Sequence, residues 1–191
     1  MSFIYNIPGV RLLQTKLNSL SSYCPPPPPE SHEPRRIVMV HSHPSPDSFS
    51  KAMADAFEVS SLNAGHEVKR INLYNNDNPT KCYRPHLSKA ERESYFQNMG
   101  KDDPKQYLAP EVRKHVEMLQ WCNTLVFIYP TWWMNTPASL KGFLDRTLVP
   151  GITWDFPSKD KKGVAALGLT PKLQNIEQIV GISTYGASQG I

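Results

Sequence analysis

The chain has 191 residues, of which 39% are hydrophobic and 20% charged, and its formal net charge is +4. This length suits one globular domain with a buried core, and no Lys/Arg block is dense enough to predict a nucleic-acid-binding surface. No apolar run reaches the roughly 18 residues that a membrane-spanning helix needs. The three cysteines form no CxxC motif and have no histidine at ligand spacing. They therefore predict no metal site, and their odd number fits a reducing compartment.

Residues 1–34 are predicted to be an extension that precedes the folded domain. Aliphatic residues between Val10 and Leu20 recur at helical spacing, no acidic residue occurs before Glu30, and residues 25–29 are all proline. An acid-free, serine-bearing amphipathic start can be a mitochondrial transit peptide. The main expectation is instead a disordered extension with a stiff polyproline linker, and a cytoplasmic protein. A mitochondrial location is the alternative, if residues 1–34 are a transit peptide.

The folded domain is predicted to span residues 35–191 and to begin with a βαβ unit. Residues 37–40 (IVMV) read as a strand buried on both faces of a parallel sheet. Asp47 and Ser48 are good N-caps for a helix that should run to about residue 62. Residues 67–74 then form the second strand, and the free N–H groups at the helix start predict an anion site. The residues of this helix expected to face inward are Ala52, Ala56 and Val59.

The next stretch is polar and irregular, with a possible short helix at residues 88–97 within the segment 75–109. We expect this insertion-like segment to lie over a ligand cleft or at a subunit contact. Pro110 suits the first turn of the helix that follows. The residues of that helix expected to face inward are Val112, Val116 and Leu119.

Residues 125–146 (LVFIYPTWWMNTPASLKGFLDR) read as a buried strand, a short loop and a helix. Thr136 is the expected N-cap and Pro137 the expected first helical residue. Two indoles, Trp132 and Trp133, thus follow the carboxyl end of a parallel strand, where open α/β sheets bind ligands. They could instead form a protein contact. The residues of the helix expected to face the sheet are Leu140, Phe143, Leu144 and Leu148.

The last part of the chain contains one more parallel strand. Residues 151–157 form a loop with two exposed aromatic residues, and residues 164–169 read as a short strand. The apolar residues between Ile176 and Ile182 precede the small polar loop STYGAS at residues 183–188. We therefore expect a fourth parallel strand that ends in this loop.

The three core strands end in loops that should meet in one cleft, because the carboxyl ends of parallel strands share one edge of a sheet. The first loop offers His43 and a hydroxyl-bearing helix start, the second offers two indoles, and the third offers Thr184 and Tyr185. Phosphate donors, a stacking surface and a polar edge are what a flavin nucleotide needs. Taken alone, His43 would more often be a structural histidine. No GxGxxG, GxxxxGK[ST] or GxSxG motif occurs, so Rossmann, P-loop and α/β-hydrolase interpretations lack their motifs.

Three ordered motifs, HSHPSPDSFS, YPTWWMNTPASLKGFLDR followed by GITW, and STYGAS, resemble those of the NAD(P)H:quinone oxidoreductase family. The resemblance covers about residues 35–191. It implies an α/β, flavodoxin-like fold: a doubly wound parallel sheet in a three-layer α/β/α arrangement. It also implies a homodimeric flavoprotein that transfers a hydride from NAD(P)H through flavin to a quinone-like small molecule.

The resemblance also implies binding residues by position. The phosphate and ribityl side of the flavin corresponds to His43, Ser48, Phe49 and Ser50. The loop along the isoalloxazine ring corresponds to Pro130, Thr131, Trp132, Trp133, Met134 and Asn135. Its other edge corresponds to Thr184, Tyr185 and Gly186. Trp154 and Phe156 match substrate-pocket aromatics that are often donated across the dimer. The implied cofactor is FAD, with FMN as the alternative because Asp47 stands where a hydroxyl suits a longer nucleotide.

In the family the chain continues past the STYGAS-like loop with a helix, a strand and a last helix, whereas this sequence ends at Ile191. The sequence thus predicts a chain that lacks this last helix-strand-helix, and no catalytic acid or base can be carried over. The main prediction is a flavin-dependent NAD(P)H:quinone oxidoreductase. The alternative is a truncated, non-catalytic flavodoxin-like module, either a flavin carrier or an interaction protein.

Overall fold

The computed structural model of the chain describes residues 33–75, 82–97, 99–157 and 168–186. The predicted N-terminal extension lies outside these ranges apart from its last two residues. The elements follow in the order β1 (Arg36–His41), α1 (Phe49–Asn63), β2 (Glu67–Asn72), α2 (Lys89–Glu93), a 3₁₀ turn (Pro104–Tyr107), α3 (Pro110–Trp121), β3 (Thr124–Pro130), α4 (Ala138–Thr147), β4 (Trp154–Asp155), β5 (Thr170–Pro171) and β6 (Gln178–Thr184).

The central sheet has four parallel strands in the order β2-β1-β3-β6. Val40 pairs with Phe127, which in turn pairs with Gly181, so the carboxyl ends of β1, β3 and β6 lie side by side. The predicted fourth parallel strand is confirmed as β6. The short strands β4 and β5 pair with each other in antiparallel fashion.

Alternate residues of β1 face opposite layers, because successive side chains of a strand point to opposite faces. Met39 belongs to the apolar cluster that includes Ala54 of α1, whereas Val40 belongs to the cluster of Leu119 from α3 and Phe143 from α4. Both faces of the sheet are thus covered by helices, which explains the unbroken apolar runs of β1 and β3. The predicted three-layer, flavodoxin-like architecture is confirmed.

Helix α1 has the predicted boundaries but not the predicted inward face. Its N-cap is Ser48, whose hydroxyl accepts the Lys51 N–H at 3.2 Å. The three residues expected to face inward are exposed, and Val59 is 57% exposed. Ala54 is buried instead, with Phe57 packed against the same cluster. The helix has few aliphatic residues, so its inward stripe includes serines that a hydrophobic pattern does not reveal.

Helix α3 buries the three residues predicted for it, but the predicted start of α4 is wrong by one residue. Pro137 is the N-cap, with extended backbone (φ −56°, ψ 149°), and no side chain caps the helix. Thr136 cannot be the cap because the carbonyl of Pro137 already accepts the first helical N–H, that of Lys141. Leu148 lies just past the helix end and is exposed, whereas Phe143 is buried, as predicted.

The described part of the segment 75–109 packs against the last turn of α4. Ser88 and Glu91 form a capping box at the start of α2, and Glu91 pairs with Arg146 of α4 at 2.8 Å. Most of the strand predicted at residues 164–169 lies outside the described residues, and β5 begins only at Thr170. None of the helices in the described ranges is long and apolar enough to cross a membrane.

Candidate functional site at the carboxyl edge of the sheet

The first loop of the cleft is held by its own short contacts. The Ser45 N–H donates to Nδ1 of His43 at 3.0 Å, which orients the imidazole within the loop. The next residue back, Ser42, is fully buried, and its hydroxyl lies 2.8 Å from that of Ser139 in α4. The loop after β1 is therefore tied to the helix that follows β3.

The start of α1 presents donors suited to an anion. Ser50 is buried, and its hydroxyl lies 3.4 Å from the hydroxyl of Ser48. Within the described residues, the backbone N–H groups of Phe49 and Ser50 have no hydrogen-bond partner. Free amides at a helix N-terminus, together with the helix dipole, favour negative charge. Phe49 itself is exposed beside them.

Sequence reasoning missed His41, the last residue of β1, which is buried behind this helix start. Its Nε2 lies 3.5 Å from the hydroxyl of Ser50. Burial, with a smaller contribution from the positive charge of Arg70, lowers the pKa of His41 to about 4. The imidazole is therefore neutral at pH 7 and adds no positive charge to the anion site. The sequence signal for His41 is its position as a polar residue directly after the apolar run of residues 37–40.

The loop after β3 is a tight turn that raises two large side chains into solvent. The N–H of Trp132 donates to the carbonyl of Asn135, and the reverse bond is also 3.0 Å long. Between them, Trp133 (φ 51°) and Met134 (φ 59°) both have left-handed backbone. Turns of this kind normally contain Asn and Gly, and a larger residue there stores roughly 1–2 kcal/mol of strain. Trp133 is fully exposed and Met134 nearly so.

The structure brings the three loops together. The N–H of Thr131 donates to the carbonyl of Thr184 at 2.6 Å, which joins the second loop to the third. The rings of His43 and Trp132 lie 6.1 Å apart, which joins the first loop to the second. The other predicted members are the buried Pro130 at the end of β3 and the exposed Asn135, Tyr185 and Gly186.

The two predicted substrate residues lie elsewhere. Trp154 donates from its indole N–H to the carbonyl of Leu148, at the far end of α4. Helix α4 has ten residues, so this end lies about 15 Å from the cleft, at about 1.5 Å per residue. Within the described residues, no hydrogen bond or ring contact joins Trp154 or Phe156 to the cleft. In a single copy of the chain, the predicted cofactor and substrate residues form two separate clusters.

The chemistry of the cleft fits a flavin nucleotide. The helix start supplies amide and hydroxyl donors for a phosphate, and the indole of Trp133 supplies a flat apolar surface. Lys51 in the first turn of α1 is paired with Asp55 at 2.6 Å, so the anion site depends mainly on neutral donors. Within the described residues, no group of three or more His, Cys, Asp or Glu side chains could hold a metal ion.

A family model described as a flavodoxin-like fold matches residues 35–187. The chain belongs to this family. The topology, with ligand-competent loops at the carboxyl ends of adjacent parallel strands, agrees with the match.

Several known proteins are similar to the chain in sequence or structure. The chain is 33% identical over 120 residues to the Uncharacterized NAD(P)H oxidoreductase YcaK of Escherichia coli. This match covers 62% of the chain and 55% of the relative. The chain is 26% identical over 157 residues to rat NAD(P)H dehydrogenase [quinone] 1, covering 80% of this chain and 54% of the relative. The NAD(P)H:quinone oxidoreductase of Methanothermobacter marburgensis superimposes with a TM-score of 0.64 at 26% identity, covering 82% and 68% of the two chains.

These relatives confirm the resemblance to NAD(P)H:quinone oxidoreductases predicted from the three motifs. The chain spans about half the length of the curated relatives it matches. The roles of the individual cleft residues stay predictions.

Proposed function

We propose that this chain is a flavin-dependent NAD(P)H:quinone oxidoreductase that acts as a homodimer. The observation that carries the proposal is the convergence of three loops at the carboxyl edge of the sheet, with Trp133 fully exposed on a strained turn. An exposed indole on left-handed backbone persists only where the surrounding structure imposes it, and such strain clusters at ligand sites. FAD is the favoured cofactor, with FMN as the alternative.

Each loop has a separate part in holding the flavin. The start of α1, with Ser48 and Ser50, binds the phosphate, and Trp132 and Trp133 cover the ring. The loop after β6 borders the other edge of the ring through Thr184, Tyr185 and Gly186. Flavin bound there supplies the group that carries the hydride between the two substrates.

The overall reaction moves two electrons. NAD(P)H loses a hydride and becomes NAD(P)⁺, and the quinone takes that hydride and one further proton to become a hydroquinone. The protein contributes orientation, because hydride transfer needs flat rings stacked at near contact. No side chain within the described residues is assigned as the acid, and the one further proton comes from solvent.

The separation of the two clusters supports the proposed homodimer. Phe156 is exposed about one helix length from the cleft of its own chain. A second copy that places its Trp154 and Phe156 against the first copy's Trp133 would enclose the site and bury exposed aromatic surface on both sides.

The test is flavin extraction combined with turnover. We expect the purified protein to be yellow, acid extraction and mass measurement to release FAD, and the protein to oxidise NAD(P)H when 2-methyl-1,4-naphthoquinone (menadione) is added. A colourless protein that stays inactive after incubation with FAD or FMN would contradict the proposal. Release of FMN would overturn only the choice of cofactor.

One observation favours the interaction protein as a second candidate. Beside β6, an apolar groove of about 350 Å³ is lined by Leu125, Leu144 and Ile179, among other apolar residues. Exposed apolar surface of this kind often marks a contact with another protein. Bound flavin with NAD(P)H oxidation would favour the enzyme, and the absence of both would favour this alternative.

A further inference from the structure

Four aromatic rings form a continuous row at the far end of α4. Tyr95 meets Phe96 edge to face, with centroids 5.1 Å apart. Phe96 lies parallel to Phe156 within 15°, at 6.4 Å, and Phe156 meets Trp154 edge to face at 5.7 Å. The row thus joins the segment after α2 to the strand β4, which are about 60 residues apart in sequence.

The two middle rings of the row are not core residues. Phe96 is 58% exposed and Phe156 is 55% exposed. Pairing the rings hides part of their apolar surface, but more than half of each stays in contact with solvent. A parallel pair of half-exposed rings is therefore a ready surface for a third flat ring.

Both halves of the row are anchored to the end of α4, which makes the surface rigid. Arg146 donates to the Glu91 carboxylate through Nε at 3.0 Å and Nη2 at 2.8 Å, which fixes α2 just before Phe96. Trp154 is fixed by its indole bond to Leu148, and Lys172 pairs with the neighbouring Asp155 at 2.9 Å. Rings held in place before a ligand arrives lose little entropy on binding it.

We propose that Phe96 is a specificity-determining residue, which with Phe156 forms the platform that binds a flat aromatic electron acceptor. The proposal rests on the proposed function, in which Phe156 of one copy faces the flavin of the other. Phe96 stacks on Phe156 and therefore extends the same surface. The platform selects for flat aromatic acceptors, because stacking on the two phenyl rings stabilises a bound aromatic ring. A small inorganic acceptor has no aromatic face to stack.

The experiment compares two acceptors in the full chain loaded with flavin. Menadione is a flat bicyclic quinone, whereas ferricyanide is a small non-aromatic acceptor. For Phe96→Leu we expect the KM for menadione to rise roughly twofold to tenfold, the magnitude of a lost ring pair. The kcat with menadione, the ferricyanide rate and the Kd for flavin should stay unchanged. Phe96→Tyr keeps an aromatic ring and should retain the wild-type KM.

The matched control is Val59→Ala, which removes exposed apolar surface (57% exposed) from α1, away from the row. It should change neither the KM for menadione nor the rate with ferricyanide. An unchanged menadione KM in Phe96→Leu, or an equal loss with both acceptors, would overturn the proposal. So would a loss of the dimer in size-exclusion chromatography with light scattering, because Phe96 would then be a subunit contact. If the wild-type chain reduces neither acceptor, the proposed function fails and this inference fails with it.

Discussion

The two ends of helix α4 differ in whether their large side chains are exposed or buried. Before its start, Trp133 and Met134 stand in solvent on left-handed backbone. In its last turn, Arg146 is buried with two carboxylate partners and the carbonyl of Arg84. At the first end, apolar side chains stay exposed on strained backbone. At the second end, a buried positive charge has hydrogen-bonded carboxylate partners. We infer that the first end serves a ligand and the second keeps the fold in place.

Packing supports the structural role of the second end. Gly142 of α4 lies so close to Pro85 that an added Cβ would stand 2.1 Å from the Pro85 carbonyl oxygen. Helix α4 and the segment around residue 85 therefore touch backbone to backbone. The ion pair of Arg146 and Glu91 closes the same contact one turn further on.

The largest expected effect is the loss of this buried charge pair. Arg146→Ala leaves Glu91 buried without its partner, which should lower the free energy of unfolding by about 3–5 kcal/mol. The measurement is urea unfolding followed by Trp fluorescence. Arg146→Met combined with Glu91→Leu removes both charges, and it should be much less destabilised than Arg146→Ala alone. Equal losses would show that the charge pair is not what stabilises this end of α4.

The second prediction concerns pH and the same buried region. His115 of α3 packs against the rings of Tyr83 and Phe143, and burial lowers its pKa to about 4. Unfolding restores the ordinary pKa of about 6.5, so the unfolded chain binds more protons between these values. The free energy of unfolding should thus fall as pH drops from about 6.5 towards 4, by up to about 1.4 kcal/mol per pH unit for this histidine.

The control for the pH effect is His115→Phe, which keeps a ring but cannot be protonated. It should show a shallower pH dependence of the urea midpoint than the wild type. His41 has a similarly lowered pKa, so a residual slope is expected. An identical slope in both proteins would contradict the assignment.

The sequence was sufficient for β1 and β3 because a parallel strand buried on both faces leaves a local, unbroken apolar run. It located the loops after these two strands for the same reason. It did not reveal that Arg146 pairs with Glu91 or that Phe96 stacks on Phe156, because the members of each pair lie about 55–60 residues apart in the chain. The inward face of α1 was missed because Ser50 occupies an inward position that a hydrophobic pattern assigns to apolar residues.

The third prediction tests the ligand role of the first end. Trp133→Ala removes a fully exposed indole, so the free energy of unfolding should change by less than about 0.5 kcal/mol. Flavin affinity should fall by roughly 0.5–1.5 kcal/mol, or about twofold to tenfold in Kd. Lys141→Ala is the control, since Lys141 is an exposed residue of α4 paired with Asp145. Equal effects of the two changes on Kd would exclude the Trp loop from the site.

The smallest expected effect concerns the strain in the same turn. Met134→Gly places glycine at φ 59°, where it adopts left-handed backbone without a steric penalty. The relieved strain of about 1–2 kcal/mol is partly offset by the greater flexibility of glycine in the unfolded chain. The net gain in the free energy of unfolding should be about 0.5–1 kcal/mol, measured as a higher urea midpoint. Because the Met134 side chain also leaves the cleft, flavin affinity should fall slightly while stability rises. A loss of stability would show that the turn is held by contacts of the methionine side chain rather than imposed by the paired hydrogen bonds of Trp132 and Asn135.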